Sequence, residues 1–310
     1  MSLLRRIKFS YMLYNFFHKK ELAHNLPLYK KWGIRKSYYS PVSSRDFKHL
    51  KEKECTPDLD RARGTRLFQR LNAANQHSIL EFNNNGYAIL RNYLSVDQVD
   101  AVNKEINDLL QSGTIDFRYK NKIMFAIHKS KLLRDIGNDS DLRELLSCLI
   151  GGEAALFQSI NFIQGSEQPT HSDSIHMTTY PLGGLLGAWL ALEPMTLDNG
   201  PLHYYPGSHK LPYYLNEDYD NEGNFFFTGD KEYPEYEEMM RKKIADNNLE
   251  KSVFIAEKGD LLIWHANLFH GGEPHRDKSK TRKSMVFHYF NQDAICYHEI
   301  TQRPALIKSV

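Results

Sequence analysis

From residue 154 onward the chain is a train of short apolar or alternating runs. They lie at 154–163, 170–180, 184–193, 202–205, 252–256, 260–265 and 283–290, each closed by turn residues. Runs of this length are strand-sized. Many short strands in succession bury their apolar faces in a sandwich, jelly roll or barrel. Residues 212–250 interrupt the series with an acidic, Tyr-rich insert, and Tyr233-Pro234-Glu235 predicts a helix over 233–246. In a β scaffold such an insert often sits at the mouth of the site.

The stretch ahead of these runs is mixed. Gly86 through Tyr93 predicts a first strand. Ser95 and Gln98 make a capping box for a helix that carries Val99, Val102, Ile106 and Leu109 on one face. Residues 141–150 predict a second helix, stopped by Gly151-Gly152. Residues 47–66 are charge-dense, contain Thr56-Pro57-Asp58, and read as a connector or short helices. The fold class expected is α+β, mainly β with flanking helices. A length of 310 residues allows one large domain or two ordinary ones.

Charge and cysteine count narrow the function. Lys and Arg total 40 against 38 acids, a net charge of +2, so the chain is no polycation. No nucleic-acid motif is present, and no nucleic-acid partner is expected. Cys55, Cys148 and Cys296 are too few and too scattered for a disulfide framework or a zinc knuckle, which predicts a reducing, cytoplasmic home. No apolar run approaches the roughly 18 residues of a membrane span. The first residues lack the apolar stretch of a signal peptide.

The small net charge conceals an asymmetry. Residues 1–50 hold eleven Lys or Arg and two acids, a charge of +9, which leaves −7 on the other 260 residues. Phe9, Tyr11, Tyr14, Phe16, Phe17, Tyr29, Trp32, Tyr38 and Tyr39 are interleaved with these cations. Residues 1–66 therefore read as an aromatic, basic arm and connector, and 67–310 as the main domain. Two readings of the arm stay open. It can meet an anionic surface, such as the inner face of a membrane, a lipid-linked substrate or a partner. Alternatively, its aromatics pack on the main domain while its charges stay solvated.

Fourteen histidines are present, nine of them after residue 170. His171-Ser172-Asp173 falls in a predicted strand, where residues i and i+2 share a side, so one imidazole and one carboxylate can reach a single metal. His270, in Leu268-Phe269-His270-Gly271-Gly272, is the best source of a second imidazole, and His265 is its rival. Two His and one carboxylate leave three positions open, the arrangement of non-haem Fe(II) oxygenases. A keto acid takes two of these and O2 the third. A lone His-x-Asp recurs by chance, and by itself it reads as an exposed strand. Arg282, twelve residues after His270, changes the odds, because a buried Arg can fork two hydrogen bonds to a carboxylate. Ser284 lies two residues on and could add a hydroxyl contact. Gln158 and Asn161 on the preceding strand are candidates to face the pocket.

Further motifs follow in a fixed order. They are Gly86-Tyr87, His171-Ser172-Asp173, Trp189-Leu190-Ala191-Leu192, Asp198-Asn199-Gly200-Pro201-Leu202, Pro206-Gly207-Ser208-His209, Gly259-Asp260-Leu261-Leu262-Ile263-Trp264-His265, His270-Gly271 and Arg282. Over about residues 78–291 this order resembles the phytanoyl-CoA dioxygenase family of Fe(II)/2-oxoglutarate-dependent oxygenases. The resemblance implies a double-stranded β-helix core of jelly-roll or cupin-like type. It implies His171, Asp173 and His270 as iron ligands, Arg282 as the 2-oxoglutarate anchor, and Trp189 on the wall of the keto-acid pocket. It implies Fe(II), 2-oxoglutarate and O2 as the reacting set, with ascorbate supportive.

The expected reaction is hydroxylation of an unactivated C–H bond in a small-molecule, acyl or lipid-linked anionic substrate, with release of succinate and CO2. Asp173 stands where halogenating relatives carry a small residue, which favours hydroxylation. Gly272 departs from the family, which often has Ser there. The rival functions are a non-redox metal-binding or degenerate jelly roll acting as an isomerase, and a peripheral membrane or interaction module working through the arm. Arg282 discriminates against the first, because such a protein has no use for it. Among the other histidines, His209 is expected to stabilise a turn and His176 either lines the substrate mouth or sits on the surface. His203, His275, His288 and His298 carry no separate signal.

Overall fold

The computed structural model describes residues 6–51, 53–118 and 121–307; Arg5 of the basic arm lies outside them. Its strands are β1 Tyr87–Leu90, β2 Lys122–Met124, β3 Ala154–Phe162, β4 Met177–Tyr180, β5 Leu185–Ala191, β6 Leu202–Tyr204, β7 Ser252–Phe254, β8 Leu261–His265, β9 His270–Gly272, β10 Ser284–Asn291, β11 Ile295–His298 and β12 Arg303–Pro304. Three short helices open the described chain: α1 Lys8–Phe16, α2 Lys19–Leu22 and α3 Asn25–Lys31. Four more lie between residues 59 and 85: α4 Leu59–Arg63, α5 Arg66–Arg70, α6 Ala73–Leu80 and α7 Phe82–Asn85. Then come α8 Val96–Gln111, α9 Lys131–Gly137, α10 Ser140–Leu149 and, in the insert, α11 Tyr233–Asp246.

The main sheet has the order β1-β8-β5-β10-β3-β2, and its neighbours are antiparallel. Two three-stranded sheets accompany it, β7-β6-β9 and β12-β11-β4. Alternation divides the main sheet into two faces. Ala88 and Leu90 of β1, Ala188 and Leu190 of β5, Leu261 and Ile263 of β8, and Met285 and Phe287 of β10 pack against Val99, Val102 and Ile106 of α8 and Leu142, Leu145 and Leu146 of α10. Each such fully buried aliphatic side chain contributes on the order of 1.5–3 kcal/mol. The opposite face, with Trp189, Leu262, Trp264 and Val286, looks toward Leu202, Tyr204 and Phe254 of the β7-β6-β9 sheet. The result is the jelly-roll arrangement of two facing sheets, with no closed barrel and with helices on one outer face.

Local chemistry accounts for the helix and strand limits. Ser95 Oγ accepts from Gln98 N while Gln98 Oε1 accepts from Ser95 N, the reciprocal cap expected for α8. The expected first strand is shorter than 86–93. The Arg91 N–H is taken by Asn75 Oδ1 and the Asn92 N–H by Asp260 Oδ1, and Asn92 turns to φ 53, so the ladder stops at Leu90. The 170–180 run is a strand only over β4, and residues Asp173–Ile175 form a 3-10 turn.

The arm divides in two. Leu28, Tyr29, Ile34, Val42 and Phe47 are buried with Tyr180, Ile295 and Tyr297, and Phe47 stacks on Tyr180 at 4.5 Å. The packing reading holds for this part. In α1 and at its C-cap, by contrast, Phe9, Leu13, Phe16 and Phe17 remain exposed. Among the described residues no helix is long and apolar enough to cross a membrane.

Candidate metal centre and its cavity

A cavity of about 510 Å³ lies between the main sheet and the β7-β6-β9 sheet. His171, Asp173 and His270 stand together in its wall, with one ligand atom from each all within 4.8 Å of one another. His171 and His270 are direct antiparallel partners, each backbone N–H donating to the other's carbonyl at 2.9 Å. This pairing brings two residues 99 positions apart to a ring separation of 4.6 Å. The Nδ1 atom of His171 is 2.9 Å from the Pro169 carbonyl, and that of His270 is 2.9 Å from the Leu268 carbonyl. A carbonyl only accepts, so each Nδ1 carries the proton and each Nε2 presents a lone pair.

Asp173 reaches the same point by a different route from the one expected. It begins the 3-10 turn and does not alternate along a strand, because Ser172 Oγ accepts from Ser174 N and caps that turn. The convergence survives: Asp173 Oδ1 is 3.7 Å from His171 Nε2 and 3.6 Å from His270 Nε2. The turn is held from outside as well, since the Ser172 N–H donates to Tyr236 Oη of α11 and Ser172 Oγ donates to the Ala266 carbonyl. The insert thus braces the site as well as adjoining it.

Two residues that drew no separate signal from the sequence complete this cluster. Trp264 donates its indole N–H to Asp173 Oδ2 at 2.7 Å, and His288 Nε2 lies 3.8 Å from the same oxygen. Trp264 pairs with Gly187 across β5 and β8, and a Cβ at Gly187 would sit 2.3 Å from the indole ring. Only the missing side chain lets the ring lie there. Burial alone would raise the Asp173 carboxyl, but His270, His288 and His171 beside it and the Trp264 N–H outweigh that and hold it below the usual carboxylate range. Burial, with His270 next to it, pushes the His171 imidazole well below its ordinary value, which keeps it neutral. Two imidazoles, each with its Nδ1–H held by a backbone carbonyl, and a carboxylate held by the Trp264 N–H form a donor set that fits a divalent transition metal such as iron.

Arg282 lies on the same cavity wall and is buried. Its Nε donates to the Gly200 carbonyl at 2.8 Å and its Nη1 to Ser284 Oγ at 3.0 Å. Its guanidinium carbon sits 5.6 Å from the Trp189 ring and 5.7 Å from the Phe162 ring. Burial lowers its pKa to about 10, so it stays charged at neutral pH. Trp189 also lines the cavity, and its indole nitrogen is buried with no hydrogen-bond partner. A charged guanidinium and an unspent N–H on one wall fit a ligand carboxylate, as 2-oxoglutarate would bring.

The other expected residues fall out unevenly. Gln158 lines the cavity. Asn161 does not, since positions 158 and 161 lie on opposite faces of β3 and Asn161 pairs with Met285 on the helix-covered side. Ser284 is fully buried, its hydroxyl accepts from Arg282, and it does not line the cavity, so it acts on the guanidinium. His265 turns away from the triad toward His209, with rings 5.5 Å apart. His209 anchors a turn, with Nε2 3.3 Å from the Asn83 carbonyl and a ring that a Cβ at Gly86 would meet at 2.4 Å.

The wall nearest the insert is polar. His176 Nε2 and Tyr233 Oη are 3.0 Å apart, Gln168 Nε2 lies 3.5 Å from the same phenol, and Lys122 Nζ donates to Gln168 Oε1 at 3.1 Å. His298 lines the cavity too. Burial lowers His176 to about 4 and His298 to about 3, so both are neutral donors or acceptors. A signal for His288 was present in the sequence, because 282, 284, 286 and 288 share one face of a strand.

Known proteins share parts of this sequence and its fold. The family model for phytanoyl-CoA dioxygenase (PhyH) matches residues 82–284. Peroxisomal phytanoyl-CoA dioxygenase of Bos taurus is 31% identical over 136 residues, covering 43% of this chain and 36% of the relative. Phytanoyl-CoA dioxygenase domain-containing protein 1 of Mus musculus is 34% identical over 94 residues, covering 29% and 32%. The matched stretch spans about a third of the length of these curated relatives. The carbocyclase SnoK of nogalamycin biosynthesis, which is α-ketoglutarate-dependent, superposes with a TM-score of 0.59 at 16% identity, over 75% of this chain and 88% of its own. EctD from S. alaskensis, solved with 2-oxoglutarate and 5-hydroxyectoine, gives 0.54 at 20% identity, over 79% and 85%. These two likenesses show the fold. The family match, which covers well over half of the residues, shows the lineage: the chain belongs to the phytanoyl-CoA dioxygenase family.

Proposed function

We propose that this protein is an Fe(II)- and 2-oxoglutarate-dependent oxygenase that hydroxylates an unactivated C–H bond. The observation that carries the reading is the joint placement of the His171-Asp173-His270 cluster and the buried Arg282 in one cavity. A non-redox isomerase or a binding module that takes no 2-oxoglutarate has no use for a buried guanidinium there. EctD, a protein of the same fold, is known with bound Fe and with 2-oxoglutarate, which supports the same pair here.

In this reading His171, Asp173 and His270 hold the metal. Trp264 keeps the Asp173 carboxylate turned so that Oδ1 faces both imidazoles. Arg282, fixed by Gly200 and Ser284, binds the distal carboxylate of 2-oxoglutarate, and the free Trp189 N–H adds a second donor. When bound, the iron supplies the activation of O2 that converts 2-oxoglutarate to succinate and CO2 and the substrate C–H to C–OH. Phe162, Trp189 and Val286 exclude water from that end of the cavity. Gln168, His176 and Tyr233 give the insert side hydrogen-bonding groups suited to a polar substrate portion. The substrate classes that fit are a small molecule, an acyl derivative or a lipid-linked anionic compound.

Succinate release by the full chain with Fe(II), ascorbate and 2-oxoglutarate, assayed across those substrate classes, tests the reading. Substrate-stimulated succinate and an equal amount of hydroxylated product are expected. A metal-loaded, 2-oxoglutarate-binding protein that converts no member of any class, and makes no succinate alone, would count against it.

A further inference from the structure

The part of the arm that stays outside the core has an ordered shape. On α1 and at its C-cap, Phe9, Leu13, Phe16 and Phe17 follow the i, i+4, i+7, i+8 spacing of a single helical face. That face points to solvent: Phe9 is 71% and Phe17 74% exposed. The helix is docked by its other side, where Asn15 is buried and donates to the Tyr39 carbonyl and the Tyr11 ring lies under Arg303 at 3.4 Å. The exposure is therefore not that of a frayed terminus.

A second segment, more than 200 residues away in sequence, extends the same patch. The Lys8 N–H donates to the Phe226 carbonyl at 2.9 Å, Ile7 and Phe227 form an antiparallel bridge, and the Thr228 N–H donates to the Arg6 carbonyl. Lys8 Nζ also donates to the Asn224 carbonyl. These bonds hold the insert tip against the start of α1 and leave Phe225 86% and Phe226 68% exposed. Six large apolar side chains from two joined segments are thus exposed. Cations accompany them. Lys19, Lys20, Lys30 and Arg35 are exposed in the stretch that follows α1, and no carboxylate pairs with them among the described residues. Arg45 and Lys48, farther along, are instead neutralised by Glu222 and Glu217.

We propose that this surface docks on an anionic phospholipid bilayer, with the α1 and insert-tip aromatics entering the headgroup region. An amphipathic helix with exposed aromatics, followed directly by the exposed Lys19 and Lys20, has the chemistry of interfacial binding. A second copy of the chain suits the surface less well, because it would bring two segments of the +9 arm together. The proposal does not depend on the reaction catalysed.

Co-sedimentation of the full chain with vesicles tests it. Vesicles of phosphatidylcholine containing about one-third phosphatidylglycerol are compared with phosphatidylcholine alone, at low and high salt. Binding at least about tenfold stronger to the anionic vesicles, weakened by salt, is expected. Phe9→Ser with Phe17→Ser, and separately Phe225→Ser with Phe226→Ser, should each weaken binding about tenfold or more. Lys19→Glu with Lys20→Glu should abolish the preference for anionic lipid, and as an exposed change it keeps the test open should a Phe variant misfold. Equal binding to neutral and anionic vesicles, or none to either, would overturn the proposal. So would a dimer in light scattering that the Phe variants convert to monomer.

Discussion

The Trp264 indole N–H donates to Asp173 Oδ2 at 2.7 Å, so the carboxylate spends one oxygen on the tryptophan and turns the other toward both imidazoles. The indole can lie there only because Gly187 opposite it has no side chain. Trp264→Phe keeps the ring and removes the donor. Outer hydrogen bonds of this kind typically tune metal affinity by about 10–100-fold. Titration calorimetry with Mn(II) or Fe(II) under argon should show a loss in that range with little change in melting temperature. Unchanged affinity would mean that the indole does not orient the ligand.

The triad itself gives a readout independent of catalysis. A ligand bound at 100 times its Kd stabilises the folded state by about 2.7 kcal/mol. Metal should therefore raise the melting temperature of the wild-type chain. His171→Ala and Asp173→Ala should lose both that shift and succinate release. A variant that keeps the full metal-dependent shift would remove its side chain from the ligand set.

What could be read from the sequence was local. The α8 cap needed only Ser95 and Gln98, and α11 needed Pro234 in its first turn. His171 with Asp173, and His270 with Arg282, stood out as two short-range pairs within an ordered series of motifs. The turn at Ser172 departs from the strand expected there because one side-chain cap outcompetes apolar alternation. Trp264 was illegible for another reason, and the alternation that His288 shares with Arg282 gave it a cavity face but not its partner. Their approach to Asp173 is set by the register of β8 and β10 against β5, which pairs residues about 77 and 101 positions apart. Exposure of the α1 aromatics was equally hidden, because an amphipathic face does not say whether protein or solvent meets it.

Arg282 predicts opposite effects on binding and stability. Its pKa falls from 12.5 to about 10 because burial opposes its charge. Below both values the guanidinium is charged in the folded and unfolded states alike, so the full burial cost, of order 3 kcal/mol, is present at pH 7. Arg282→Met removes that charge while keeping much of the volume. The chain without ligands should melt at the same temperature or higher, while the 2-oxoglutarate requirement rises by about two orders of magnitude. A large drop in melting temperature with an unchanged 2-oxoglutarate requirement would make Arg282 a structural residue.

Glu299 predicts a pH effect on the arm and insert. It is fully buried; Ser44 of the arm donates through N and Oγ to its carboxylate, and Asn216 of the insert donates through N. Burial is the main cause of a pKa raised from 4.5 to about 7, with Glu217 nearby adding in the same direction. The sign follows from proton counting. Between the unfolded and folded values the folded chain holds the extra proton, so the contribution of Glu299 to stability is most favourable below about pH 4.5 and falls as pH rises to 7. The loss is of order 3 kcal/mol and is complete above pH 7. Melting temperatures of wild type and Glu299→Gln, measured at steps from pH 5 to 8, should differ in slope: the wild type declines over this window and the variant is flatter. The neutral variant keeps the Ser44 Oγ and Asn216 N–H contacts at its Oε1 but gives up the one from the Ser44 N–H, which an amide nitrogen cannot accept. Parallel slopes would show that Glu299 is already ionised at pH 5, held there by its three donors.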